Sequence, residues 1–103
     1  MLLGANGQNI YPEEIEDKLN SMPYVIESVV VQRGEKLVGL VYPDSDEAKN
    51  AGMSHADLEK LMEENRQQLN HMIPAYSKVI GIELVDEEFE KTPKKSIKRY
   101  LYK

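Results

Sequence analysis

Four groups of residues in this chain are of types that could do chemistry. The first is a run of lysines near the end. Residues 89–103 hold Lys91, Lys94, Lys95, Lys98, Arg99 and Lys103 against Glu90 alone, a local charge of +5 on a chain whose net charge is −5. A basic end on an acidic body can meet an anion, or can simply be the solvated face of a short helix. The second is the loop Gly4-Ala5-Asn6-Gly7-Gln8-Asn9 entering a proline-led segment. It lacks the G-x-x-x-x-G-K-[ST] spacing of a P-loop, but a loop that opens a helix can still offer backbone N–H groups to a ligand. The third is the carboxylate set Glu13, Glu14 and Glu16. At a helix start these are explained by the helix dipole and by solvation rather than by acid–base work. The fourth is the pair His55 and His71, sixteen residues apart and so not at the H-x-x-x-H spacing of a metal pair. Cysteine is absent, which removes disulfides, thiol catalysis and Cys-based zinc sites. No triad and no metal centre can be built from this inventory.

These groups must be positioned by a single modest domain, since 103 residues bury one core. Hydrophobic residues at 41% and charged residues at 30% describe an ordinary globular chain. No apolar run approaches the roughly 20 residues of a membrane span. No signal peptide is visible, so a cytoplasmic setting is expected. The net acidity argues against nucleic acid as a partner.

The element order follows from periodicity. Residues 1–10 read as a loop. Pro12, Glu13 and Glu14 open a helix carrying Ile15, Leu19 and Met22, which runs to about residue 21 before Pro23. Residues 25–32 and 37–42 are apolar on nearly every position and flank Gly34. They read as a β-hairpin covered to some extent on both faces. Residues 43–53 read as a polar connection. Ser54 and Asp57 form a capping-box pattern ahead of a helix with Leu58, Met62, Asn65, Leu69 and Met72 on one stripe, stopped by Pro74. Residues 79–85 read as a third strand, and residues 94–101 as a short helix carrying the lysines. The fold class is α+β: a small sheet of about three strands with a hairpin, covered by helices.

Two segments, taken together, carry a resemblance. Gly7–Glu16 (GQNIYPEEIE) resembles the G-x-x-I-x-P-x-E-I-E signature of the adenylate-forming acyl-CoA synthetases, and Phe89–Arg99 (FEKTPKKSIKR) resembles the same family's terminal motif, L-P-K-T-x-x-G-K-I-x-R. Between them, Leu69–Phe89 is similar to the family's helix-Pro-Tyr-Lys-strand stretch. The flavour is that of the long-chain fatty acid–CoA ligases. The resemblance implies a mobile C-terminal domain that closes over a large N-terminal adenylation domain, its main partner. The substrates implied are fatty acid, ATP and coenzyme A, with magnesium in the full enzyme, and peripheral membrane association of that enzyme is compatible with the branch. The domain alone is expected to hold no cofactor and to be inactive. The resemblance further implies that Gly7, Gln8 and Asn9 face coenzyme A, with Gly7 giving a close backbone approach. It also places Ser96 where the family has its adenylating lysine and Lys95 where glycine is usual. Lys95 and Ser96 are therefore the candidate catalytic residues. Lys95 or Lys94 could supply the charge by a one-residue shift, or the step could draw on the N-terminal domain. The rival reading is a free-standing module that docks an acidic partner or a membrane surface through its basic end.

Overall fold

In the computed structural model, which describes residues 2–3, 7, 9–34, 36–94, 97–98 and 101–102, a three-stranded sheet separates two apolar clusters. Strands β1 (Leu2–Leu3) and β2 (Asn9–Ile10) form a two-residue antiparallel pair, so the opening segment is not wholly loop. Helix α1 (Pro12–Asn20) follows, with Pro12 in its first turn and Glu13 and Glu14 at its positive end. The chain turns back through Tyr24, which takes a left-handed φ of 63°.

Strands β3 (Val25–Arg33) and β4 (Lys36–Pro43) form the expected hairpin, turning at Gly34 with φ +65°. Strand β5 (Val79–Leu84) joins β4 in parallel, giving the order β3-β4-β5. A parallel neighbour needs a long crossover. Helices α2 (Ser45–Asn50) and α3 (His55–Met72) supply it. α2 replaces the polar connection expected at 43–53. Its cap is Asp44, whose carboxylate accepts from the Glu47 N–H at 3.0 Å. α3 starts on the predicted capping box, with Ser54 and Asp57 each accepting from the other's backbone N–H.

Because side chains alternate along a strand, each sheet face has its own core. Val30, Leu37, Val41 and Val79 meet Ile15 and Leu19 of α1 and Leu58, Met62 and Leu69 of α3. A Cβ at Gly39 would lie 3.4 Å from Leu19 Cδ2, so the glycine lets α1 seat closely on the sheet. On the other face Val29, Val31, Val38 and Leu40 are closed off by Phe89, with Ile97 and Tyr102 packed beside it. Both hairpin faces are thus covered, one by helices and the other by the end of the chain. Among the described residues no helix is long and apolar enough to cross a membrane.

The short helix expected over 94–101 is not what the described residues there form. Lys91 pairs with Ile97 in an isolated antiparallel bridge, and the Lys98 N–H donates to the Glu90 carbonyl at 2.8 Å. The segment doubles back as a small hairpin with a turn at Pro93 and Lys94. Contacts across a turn decide this structure, and no 3.6-residue periodicity reports them.

Candidate functional site

The two motif segments lie on opposite faces of the sheet. β2 belongs to the helix side, where Ile10 is 2% exposed within the helix-side core. Gly7, exposed and at φ +82°, stands just before it, and a Cβ there would meet nothing within 4 Å. The left-handed backbone favours glycine at this position, and the space above it is open to an incoming body. Asn9 lines a cleft of about 370 Å3 between the start of α1 and the end of α3. Tyr11, Met72 and Tyr76 line the same cleft and are all close to half exposed. Three large apolar side chains around one polar-edged cleft make an adhesive patch. Gln8 lies outside the described residues.

On the opposite face, the C-terminal hairpin is fixed at its base and presents its turn to solvent. Phe89 and Tyr102 meet edge to face with ring centroids 4.9 Å apart, and the Tyr102 hydroxyl accepts from the Glu90 N–H at 2.7 Å. Lys91 is not part of a solvated cluster. Its Nζ lies 2.8 Å from Glu27 Oε1 and donates to the Phe89 carbonyl at 3.3 Å. The hydrogen bond to Glu27, aided by the charges of Glu27 and Glu88, holds the Lys91 ammonium above the usual lysine range, against the effect of burial. Lys94 is exposed at the turn. Lys95 and Ser96 lie outside the described residues, between Lys94 and Ile97. Beside the hairpin base a surface groove is lined by Asp86, Glu87, Glu88 and Glu90 together with the apolar side chains of Val85, Phe89 and Leu101.

Of the carboxylates at the start of α1, Glu13 and Glu14 are exposed, but Glu16 is not the solvated group its position suggested. It is 6% exposed, and its Oε2 accepts from the Val30 N–H at 2.6 Å. Among the described residues β3 pairs only with β4, so its outer edge has backbone donors to satisfy, and Glu16 reaches down from α1 to meet one. The helix periodicity held a signal for this, because Glu16 falls beside Ile15 and Leu19 on the buried side of α1.

Two polar residues of α3 also do positional work. Asn65, buried on the apolar stripe, donates from Nδ2 to the Pro23 carbonyl at 3.0 Å. Asn70 pairs with the backbone of Val79 in both directions, at 3.0 and 2.9 Å, and starts β5. His55 sits on the surface with its Nε2 2.8 Å from Glu59, one helical turn on, as an ordinary surface pair.

The chain spans less than a fifth of each of three solved structures it resembles. The adenylation domain of a carboxylate reductase from Mycobacterium chelonae superposes with a TM-score of 0.82 at 17% identity, over 97% of this chain and 17% of that one. An acyl-CoA synthetase from Brucella canis gives 0.74 at 26% identity, over 98% and 18%. A fatty acyl CoA synthetase from Mycobacterium tuberculosis gives 0.62 at 21% identity, over 98% and 18%. No curated protein matches the sequence. The family of AMP-binding enzyme C-terminal domains matches residues 1–102. With essentially the whole length covered and the fold in agreement, the chain belongs to the AMP-binding enzyme C-terminal domain family.

Proposed function

We propose that this chain is the mobile lid domain of a long-chain fatty acid–CoA ligase. In the overall reaction, acid and ATP give acyl-AMP and pyrophosphate, and acyl-AMP and coenzyme A then give acyl-CoA and AMP. The observation that carries the reading is the placement of the two motif segments on opposite faces of one sheet. One rigid body can then offer either segment to a shared pocket by turning over, which suits two successive steps with different needs.

The adenylation step builds negative charge between the carboxylate and the α-phosphate, and an ammonium from Lys95, beside Ser96, would stabilise it. The thioester step needs room for the thin arm of coenzyme A, which the open left-handed Gly7, with Gln8 and Asn9 after it, would allow. The partner is an N-terminal adenylation domain, which would contribute the ATP and acyl pockets. The Tyr11–Met72–Tyr76 patch is a surface suited to such a contact. Magnesium is expected with ATP. Among the described residues no three acidic or histidine side chains are grouped to hold a metal, and no step on this chain is assigned to it. Docking of an acidic partner through the basic end is disfavoured, because Lys91 is engaged by Glu27 and the adjoining groove is acidic.

The test is to join the chain to its adenylation domain and measure the two half-reactions with acids of graded length. Acyl-AMP formation with long-chain acids, followed by transfer to coenzyme A, is the expected result. The chain alone should give no ATP–pyrophosphate exchange. Steady exchange by the chain alone, or a preference of the joined protein for short acids, would overturn the reading.

A further inference from the structure

The Glu27–Lys91 contact joins residues 64 positions apart, and the function proposed above does not use it. Glu27 stands on β3 where the ladder with β4 slips in register between Val25 and Glu27, an irregularity of the kind that re-aims side chains. Its side chain is only 15% exposed. Oε1 holds Lys91, while Oε2 is buried and makes no hydrogen bond among the described residues. A carboxylate so placed costs desolvation unless its one partner is held. The apolar contacts of Phe89, Ile97 and Tyr102 fix the hairpin against the sheet but are not directional. The ion pair is directional. It sits at the hairpin base, at the residue that bridges to Ile97, with the Glu90–Lys98 hydrogen bond beside it. One step further along the chain begin Thr92, Pro93 and Lys94, the last two at the turn.

We infer that Glu27 and Lys91 form a positioning latch that sets where the basic turn of the C-terminal hairpin stands relative to the sheet. Both are positioning residues, not catalytic ones. The consequence for catalysis rests on the ligase reading: the latch should matter to adenylation, which uses the basic turn, and not to thioester formation, which uses the other face. Arginine at 91 keeps the charge and can reach the same carboxylate, so it should largely preserve the latch. Methionine keeps much of the stem but abolishes the charge.

Two measurements test this. Amide hydrogen exchange on the chain reads the latch directly. In Lys91→Met the Lys98 amide should lose at least tenfold protection while the β3–β4 ladder keeps its own, and Lys91→Arg should stay within about twofold of the parent. Glu27→Gln, which leaves an amide oxygen for Lys91 but no charge, should fall between them and covers the case in which Lys91→Met fails to fold. A Lys98 amide unchanged in Lys91→Met, or in Glu27→Gln if Lys91→Met does not fold, overturns the latch. In the chain joined to its adenylation domain, Lys91→Met should slow acyl-AMP formation at least tenfold and leave transfer to coenzyme A within about twofold, with recovery in Lys91→Arg. Equal loss of both half-reactions would make the pair a folding element and overturn the positioning role. If the unaltered joined protein forms no acyl-AMP from any fatty acid, the ligase reading fails, while hydrogen exchange still decides whether the latch exists.

Discussion

Glu16 and Glu27 come from the acidic body of the chain, yet each is turned inward and satisfies a different need of the same strand. Glu27 anchors a distant lysine. Glu16 closes a backbone donor on the outer edge of β3. Removing Glu16 leaves the Val30 N–H without that acceptor in a nearly dry site, which costs about 1–3 kcal/mol. Glu16→Ala should therefore lower the unfolding free energy by about that amount in urea titrations, with the slope unchanged. Glu16→Gln should lose less, because an amide oxygen can still accept. Equal stability of Glu16→Ala and the parent would mean that water replaces the carboxylate. Any loss of activity in such a variant belongs to folding, not to acid–base chemistry, although Glu16 lies inside the motif through which the chain resembles its family. Residue type and spacing marked Glu16 as a helix-start carboxylate. Its place beside Ile15 and Leu19 marks the buried side of α1, but the donor it meets, on the outer edge of β3, is set by a contact no local pattern shows.

Elements with their own apolar period could be read from the chain, and those set by contacts across space could not. α3 runs from its capping box to Pro74 as its stripe requires, and the β3–β4 hairpin turns at Gly34. α2 shows no apolar period, because only Ala48 of its six residues is buried, and its cap Asp44 and end charges Asp46, Glu47 and Lys49 are equally at home in a polar connection. The helix expected over 94–101 gives way to a hairpin because lysines at helix-like spacing say nothing of the Lys91–Ile97 bridge. The cap of α3 also gives a pH-dependent element. Hydrogen bonds from the backbone and then the side chain of Ser54 hold the Asp57 carboxyl below the usual carboxylate range. A group depressed on folding adds stability above its unfolded pKa of about 3.9, and that stability is lost as pH falls through the folded value. Ser54→Ala should cost about 0.5–2 kcal/mol near neutral pH. The gap between the parent and Asp57→Asn should narrow as the pH is lowered from about 6 to about 3. A gap that stays constant or widens would show that the charge of Asp57 contributes nothing to the cap.

At the scale of the whole molecule, the sheet keeps the two motif segments apart: Ile10 of the first joins the helix face, and Phe89 and Ile97 of the second join the other face. If each face serves one step, damage to one should not be felt in the other. Gly7→Val forces a branched side chain onto a left-handed backbone and into the open space beside it. In the joined enzyme it should block transfer to coenzyme A and largely spare acyl-AMP formation. On the ligase reading, Lys95→Ala would remove a charge-assisted contact of about 2–4 kcal/mol to the reacting carboxylate and phosphate, and should slow acyl-AMP formation by roughly 30- to 1000-fold, leaving transfer nearly intact. Ser96→Lys in that background should recover part of the rate, because it puts an ammonium at the position where the motif resemblance implies a lysine. Sites separated by a sheet and sharing no partners have additive effects. The double variant Gly7→Val, Lys95→Ala should therefore show each single deficit in its own half-reaction, within about twofold. Single-turnover rates of the two half-reactions in the three proteins decide this. A deficit in acyl-AMP formation that deepens when Gly7→Val is added to Lys95→Ala would mean that both segments act in one step, and that the domain does not turn over between them.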